Sequence, residues 1–445
     1  MSAGTPHPAS ATRTATAART LRAIAALESP LWRWALSWRL RKGKETPDSV
    51  RQKWAIDAPA RPEGPVVWGH GVGVGECLTL ATLFQALGER LPGHHFLITS
   101  TSRTSGAALQ KALPPRCVHQ FAPADTVEAT QRFIRHWQPD LALWCELDLW
   151  PGLLSAAALQ GTPMWLVNAR VSAASAKAKR WVRPYYRLTL PLFERIYAQD
   201  EAAAQAVTML GAPADRVRVA GTIKALARPL PVDAGELAAW GSRWGERPVW
   251  LAASTHEGEE ATLLEAHRLI RREHPAALLI IAPRYPVRGA AAAQQAAQST
   301  PVALRSSDQA LEDRHAVYVA DTIGEMGLWY RLASVAFLGG SLVPVGGHNP
   351  FEALALGCRV LHGAQVHNFS DSYEALAADG LTCLAQDPGL IARLVQQAWR
   401  EGRPPPLAHW RGAQGAWRMV EDLVLMLSAP PPAPPRPASP PSARP

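Results

Sequence analysis

Close cysteine pairs are missing from this chain. Its five cysteines, Cys77, Cys117, Cys145, Cys358 and Cys383, are scattered over 445 residues with no C-x-x-C pair and no close His/Cys spacing. That excludes a disulfide framework and a structural zinc site, and predicts reduced thiols in a cytosolic compartment. Long apolar runs are missing too. No run approaches the roughly 18 to 20 residues needed to span a bilayer, and no apolar signal region precedes a cleavage site. Charged residues are sparse, at 19% against 47% hydrophobic, so the chain can bury full cores and is not disordered overall. Excess charge is absent from the body. The 46 basic and 37 acidic residues leave +9; ten Lys/Arg against Glu28, Glu45 and Asp48 place +7 of this before Trp54, and Arg436 and Arg444 place +2 in the last seventeen residues. A nucleic-acid binder carries its excess on the folded domain, as a patch tracking phosphates, so this distribution predicts no nucleic-acid partner.

The two ends differ from the body. Residues 1–18, rich in Ser, Thr, Ala and Pro, read as a disordered leader. Residues 19–53 are basic and Trp-rich: Leu31, Trp34, Ala35 and Trp38 share one helical face, with Arg33, Arg39, Arg41, Lys42 and Lys44 around or after it. Such a segment suits the headgroup layer of an anionic membrane, where each cation adds about 1 kcal/mol. Packing of the Trp face on the body is the alternative. Residues 429–445 hold nine prolines in seventeen positions and read as a disordered tail.

Between the ends, short apolar runs alternate with helical-period stretches. Val66–Val72, His95–Thr101, Leu141–Glu146, Met164–Asn168, Arg195–Gln199 and Val217–Gly221 form one series of strand candidates. Val249–Ala253, Ala277–Ala282, Ala316–Ala320, Val335–Gly339 and Arg359–His362 form a second. Strands alternating with helices such as Cys77–Glu89 and Val127–Trp137 are βα units on a parallel sheet. The expectation is an α/β chain of two doubly wound, Rossmann-like domains, residues 54–226 and 246–428, joined by a Pro-containing linker at 227–245. Ligands in such sheets bind at the carboxyl ends of strands, and two facing domains place those ends across a cleft.

The polar signals fall at those ends. Trp68 to Glu76 reads Trp-Gly-His-Gly-Val-Gly-Val-Gly-Glu, in which Gly71, Gly73 and Gly75 let the backbone approach a ligand. Glu76 is either a first-turn acid favoured by the helix dipole or a general base. Glu146 and Asp148 end the fourth strand before Trp150 and Pro151; an acid there takes an ion-pair partner or a ligand. Asn168-Ala-Arg170 follows the fifth strand, and Lys177, Lys179, Arg180 and Arg183 form a basic stretch beyond it. In the second series, Ser254, Thr255 and His256 precede a helix and suit an anion. Arg284 and Tyr285 follow the next strand, and Gly324 and Glu325 close the loop from Asp321. In the last loop Gly346 and Gly347 expose backbone donors, His348 and Asn349 are compact polar groups, and Glu352 suits sugar hydroxyls. Together these predict a nucleotide site.

These residues resemble the motifs of the 3-deoxy-D-manno-octulosonic acid (Kdo) transferases. The likeness runs through Gly43-Lys-Glu-x-Pro47, His70-x-Val72-x-Val74-Gly75-Glu76, Glu146-x-Asp148-Leu149-Trp150-Pro151, Asn168-Ala-Arg170-x-Ser172 and Gly221-x-x-Lys224. It continues through Ser254-Thr-His-x-Gly-Glu-Glu260, Asp321-Thr-x-Gly-Glu325 and Gly339-Gly-Ser-x-x-Pro-x-Gly-Gly-His-Asn-Pro-x-Glu352. The resemblance implies a GT-B fold, CMP-Kdo as donor, and a lipid A precursor as acceptor at the cytoplasmic face of the inner membrane, with peripheral attachment. It implies Glu76 as base; Gly75, Glu146, Asp148 and Arg170 on the acceptor side; and Ser254, Thr255, His256, Arg284, Gly324, Glu325, Gly346, Gly347, His348, Asn349 and Glu352 around CMP-Kdo. The chain departs from the family at Gly73, Leu147-Asp148, Gly152 and Tyr285, where Ser, Thr-Glu, Asn and His are usual. It has no Asp-x-Asp pair, so neither a catalytic metal nor a cofactor is expected. A GT-B enzyme using a UDP-sugar, or a non-catalytic membrane-surface protein, are the alternatives.

Overall fold

The computed structural model describes residues 8–171, 179–307, 311–405, 407 and 410–429. Two compact units emerge, one of residues 1–221 and 415–445, the other of residues 222–414. In the first, seven parallel strands lie in the order β3-β2-β1-β4-β5-β6-β7. They are β1 (Val66–His70), β2 (His95–Ser100), β3 (Cys117–Phe121), β4 (Leu141–Cys145), β5 (Met164–Ala169), β6 (Arg195–Ala198) and β7 (Val217–Val219). The central strands β1 and β4 are buried at every position, because helices cover both faces of a parallel sheet. The helices that position the site are α1 (Pro8–Arg41), α2 (Pro47–Lys53), α3 (Val74–Arg90), α4 (Arg103–Gln110), α5 (Val127–Trp137) and α6 (Pro151–Gln160). Trp68, Phe133, Trp137, Trp144 and Phe193 are fully buried in one cluster. Edge-on rings, such as Trp68 on Trp144 at 4.9 Å, fix its packing.

The second unit repeats the scheme, with strands in the order β10-β11-β9-β8-β12-β13-β14. These are β8 (Val249–Thr255), β9 (Leu278–Pro283), β10 (Val302–Leu304), β11 (Val317–Val319), β12 (Val335–Leu338), β13 (Arg359–His362) and β14 (Thr382–Leu384). All recorded pairings are parallel. The α/β, two-Rossmann architecture expected from the sequence is what the chain adopts.

Its boundaries lie elsewhere than expected. Residues 8–18, expected to be disordered, form the opening turns of α1, with Ala18 and Leu21 buried against the core. The stretch 227–245 is not a linker but part of the second unit. Its helix Ala234–Trp244 inserts Trp240 and Trp244 beside Tyr318 and Trp329, at ring separations of 5.1 to 6.3 Å. The final helix, Arg411–Ser428, belongs from Gly415 onward to the first unit, where the Tyr197 hydroxyl donates to Asp422 at 2.5 Å. Residues 1–7 and most of the Pro-rich tail lie outside the described residues.

Helix α1, which carries the basic Trp segment, has two faces. Leu21, Ala25 and Leu36 are buried on one side, and Trp32 packs on Trp150 with ring centroids 5.4 Å apart, tilted by 46°. On the other, Leu27, Leu31, Trp34 and Trp38 are 39–81% exposed. Against α6, Ala25 comes so close that a Cβ on Gly152 would stand 3.0 Å from its methyl and 2.8 Å from Asp125 Oδ1. The departure at Gly152 is thus tied to the seating of α1. Among the described residues no helix is long and apolar enough to cross a membrane.

Candidate active site

In the first unit the site is built on the turn between β1 and α3. Val72 and Gly73 donate their backbone N–H groups to Glu76 Oε2 and Oε1, at 2.7 and 3.3 Å. Glu76 therefore does serve as a first-turn acid, closing the start of α3. The same carboxyl is pushed up to about 7, by burial first, with the Val72 amide opposing and Glu146 and Asp148 adding repulsion. Desolvation and a second carboxylate outweigh two amide hydrogen bonds, and an acid poised near neutrality suits proton abstraction. The three glycines have different tasks. A Cβ at Gly71 would stand 3.2 Å from the Cys77 amide and from Glu76 Cβ; one at Gly73 would stand 3.4 Å from Glu76 Oε1; one at Gly75 would meet nothing within 4 Å. Only Gly75 leaves open space beside the carboxylate.

Glu146 follows β4 in the left-handed region, φ 68°, and Asn168 lies near the end of β5 at φ 56°. Such positions cost about 1–3 kcal/mol for non-glycine residues and persist where surrounding bonds hold them. Here Glu146 N–H donates to the Val167 carbonyl at 3.0 Å. Gln199 donates to Asn168 Oδ1 at 2.8 Å, and Asn168 Nδ2 stands 3.4 Å from Glu146 Oε1. Glu76, Glu146 and Asp148 thus gather at one sheet edge, while Arg170 follows β5 as an exposed side chain. Ser172 and Lys177 lie outside the described residues. His70, fully buried, shares a hydrogen bond at Nδ1 with Thr99 Oγ1 at 3.0 Å; its Nε2 has no partner among the described residues, and burial holds it down at about 3.

In the second unit Ser254 sits at a bulge of β8 with φ 55°. The helix begins only at Glu260, so neither Ser254 nor Thr255 caps it. Thr255 is buried and donates to Glu260 Oε1 at 3.2 Å, which commits its hydroxyl inward. His256 stacks on His348 at 5.3 Å, with the two Nε2 atoms 3.0 Å apart. Burial, then His256 and Arg284, lower His348 to about 4. Burial raises Glu352, while Asn349 Nδ2 at 3.4 Å and Arg284 act against it. His256, Arg284, His348, Asn349 and Glu352 therefore form one group.

Two expectations change. Gly346 and Gly347 do not expose backbone donors: both N–H groups donate to the Gly340 carbonyl, at 3.1 and 2.8 Å. At φ 107° and 75° they supply a turn that other residues adopt poorly. Glu325 joins a different group, paired with Arg305 at 2.6 Å and accepting from Thr322. The neighbouring Gly324, at φ 92°, shapes that loop. One residue was missed. Glu259, fully buried, accepts from the amides of His256, Gly340, Ser341 and Leu342 at 2.7–3.0 Å and so ties the loops after β8 and β12 together. Its signal was an acid repeated beside Glu260, just before a helix.

A family model described as 3-deoxy-D-manno-octulosonic-acid transferase (kdotransferase) matches residues 45–227. A 3-deoxy-D-manno-octulosonic acid transferase of Bordetella pertussis is 34% identical over 428 residues, covering 90% of this chain and 97% of that protein. This chain belongs to the Kdo transferase family. A probable mitochondrial Kdo transferase of Arabidopsis thaliana is 33% identical, covering 80% of this chain and 82% of its own. Among solved structures, a UDP-GlcNAc 2-epimerase from Neisseria meningitidis shares 15% identity at a TM-score of 0.51, over 81% of this chain and 100% of that one; this likeness concerns the GT-B fold alone. The site groups described above therefore stand in a Kdo transferase.

Proposed function

We propose that this Kdo transferase is an inverting glycosyltransferase that moves Kdo from CMP-Kdo to a primary sugar hydroxyl of a lipid A precursor. The observation that carries this reading is Glu76, a half-buried carboxylate poised at about 7 beside the open position at Gly75. In its ionised form Glu76 takes the proton of the attacking hydroxyl. The hydroxyl oxygen bonds to the anomeric carbon as the bond to the CMP phosphate oxygen breaks on the opposite face, inverting that centre. The leaving phosphate needs donors and cations that are already in place. His256 and Arg284 supply them, with Ser254 and Asn349 beside them and Glu352 on the ribose hydroxyls. Gly346 and Gly347 shape the loop, and Gly324 and Glu325 frame a neighbouring loop. Glu146, Asp148 and Arg170 meet the acceptor.

The exposed stripe of α1 supports peripheral attachment to the anionic, cytoplasmic face of the inner membrane. Indole rings at Trp34 and Trp38 enter the headgroup layer, and Arg33, Arg41 and Lys42 meet the lipid charge. The test is transfer of radiolabelled sugar to an extracted lipid A precursor, with CMP-Kdo compared against UDP-sugars. Transfer from CMP-Kdo alone supports the reading. Transfer from a UDP-sugar, or from no donor, overturns it.

A further inference from the structure

His70 opens the stretch that ends at Glu76, and the transfer chemistry gives it no task. It closes β1, is 1% exposed, and burial keeps it neutral at pH 7. It brings no charge to the site, so its effect there is geometric. A buried imidazole is costly unless its nitrogens find partners. Nδ1 shares its hydrogen bond with Thr99 Oγ1 at 3.0 Å, an oxygen that also accepts from Trp68 Nε1 at 2.9 Å. Nε2 has no hydrogen-bond partner among the described residues. Indole surrounds the ring instead: Trp150 lies 5.3 Å away at 69° and Trp144 5.9 Å away at 61°, both T-shaped. A ring pinned at one nitrogen and packed in the geometry that aromatic pairs prefer has a fixed orientation.

The contact with Trp150 joins two loops. His70 stands at the end of β1, just before the Glu76 turn, and lies opposite Trp144 in the register with β4. Trp150 ends the segment Glu146-Leu-Asp148-Leu-Trp150 that leaves β4. That segment has its own ties: Leu149 N–H donates to the Leu147 carbonyl at 3.1 Å, the Tyr185 hydroxyl donates to the Leu149 carbonyl, and Asp125 accepts from the amides of Gly152 and Leu153 just beyond it. None of these three reaches the Glu76 turn, whereas the ring of His70 links the segment to the strand that carries the turn. What the spacing of the two loops sets is electrostatic. Glu146 and Asp148 repel the Glu76 carboxylate, in addition to the effect of its burial. Two further titratable groups beside it, Cys77 and Cys145, are thiols that burial raises, Cys77 to about 12, and so keeps neutral.

We propose that His70 is a positioning residue for Kdo transfer: pinned by Thr99, it holds Trp150, and with it the carboxylates of Glu146 and Asp148, in place against the Glu76 turn. The inference rests on the reading of Glu76 as base and adds what fixes the surroundings of that base. The test is made on the full chain, measuring kcat, the KM for CMP-Kdo and the pH profile of kcat. His70→Asn keeps a polar group within reach of Thr99 and removes the ring; Trp150→Leu removes its partner at a half-buried position. Each should lower kcat by about ten- to a hundredfold, the order of loss produced by a misplacement of about 1 Å, and leave the KM for CMP-Kdo unchanged. Each should also move the acid limb of kcat from about 7 to lower pH, because the repelling carboxylates are free to relax away from Glu76. Trp150→Phe, which keeps a ring, should retain most of the activity. His70→Asn/Trp150→Leu should lose no more than the worse single variant, since two residues acting through one contact are not additive.

Wild-type kcat in the single variants overturns the proposal. So does a reduced kcat with an unmoved acid limb, which marks a purely structural role, and so do losses that multiply in the double variant. Should His70→Asn not fold, Trp150→Leu decides alone by the same two criteria, kcat and the acid limb. Near-wild-type turnover in Glu76→Gln, assayed alongside, overturns the reading of Glu76 as base; failure of the His70 proposal by itself leaves the loss of turnover in Glu76→Gln intact.

Discussion

In the first unit the groups at the carboxyl edge of the sheet are acids in apolar surroundings, Glu76 and Glu146, with Trp150 and His70 packed behind them at 5.3 Å. In the second they are two imidazoles, the Arg284 guanidinium and one carboxylate, Glu352, around a loop clamped by Glu259. Both edges belong to seven-stranded parallel sheets with nearly the same strand order. The frame is therefore neutral as to chemistry, which is set by the few residues that follow each strand. Burial without compensating cations raises Glu76 toward neutrality, as a base requires. In the second unit, Arg284 and Asn349 oppose the same effect of burial on Glu352.

The largest effect that sharpens this contrast is expected at Glu76. Glu76→Gln keeps the size and one of the two amide contacts and removes the base, so turnover should fall by about 10²- to 10⁴-fold; steady-state assay checks it, and near-wild-type turnover would reduce Glu76 to a helix-start acid. Arg284→Ala should next raise the KM for donor by about ten- to a hundredfold, the loss of charged contacts worth about 1.5–3 kcal/mol, with a smaller effect on the pH profile. Gly152→Asn, which restores the usual residue of the family, should destabilise the first unit by about 1–3 kcal/mol through overpacking against Ala25 and Asp125, read as a lowered denaturant midpoint. Trp34→Ala/Trp38→Ala should weaken sedimentation with anionic vesicles even at high salt, while transfer to a water-soluble acceptor persists.

The smallest effect is a shift of profile. Glu76 must be ionised to act, so transfer should decline as pH falls through about 7. Removing the repulsion in Glu146→Gln lowers the pKa of Glu76 and should move that decline to lower pH. The stability sign runs the opposite way. Between its ordinary value of 4.5 and about 7, the native Glu76 binds more protons than the unfolded chain, so stability falls as pH rises through that window. Glu76→Gln should remove that slope, measured as Tm against pH.

Much of this was legible in the sequence because central strands and post-strand residues carry strong signals. Val66–Trp68 and Leu141–Cys145 are continuous apolar runs, as strands buried on both faces must be. The edge strands β3, β10 and β14 went unread: Cys117–Phe121 is half-exposed and mixes His and Gln with apolar residues, and the other two span three residues each. The boundaries misled because composition does not report packing. Residues 227–245 look like a linker by their prolines, yet Trp240 and Trp244 fill an aromatic cluster. The Ser, Thr and Ala of residues 8–18 look disordered, yet they open α1, with Ala18 buried. Spacing placed Gly346 and Gly347 at the ligand loop, but only the folded backbone shows that their N–H groups are already taken by Gly340.

The central claim is a division of labour, with proton removal at the first sheet edge and donor grip at the second. It is tested most directly by titrating CMP into the wild type, Glu76→Gln and Arg284→Ala by calorimetry and measuring single-turnover transfer on the same samples. The account predicts wild-type CMP affinity with lost transfer for Glu76→Gln, and weakened CMP affinity for Arg284→Ala with transfer only partly restored at saturating donor. Loss of CMP affinity in Glu76→Gln, or unchanged affinity in Arg284→Ala, would contradict it.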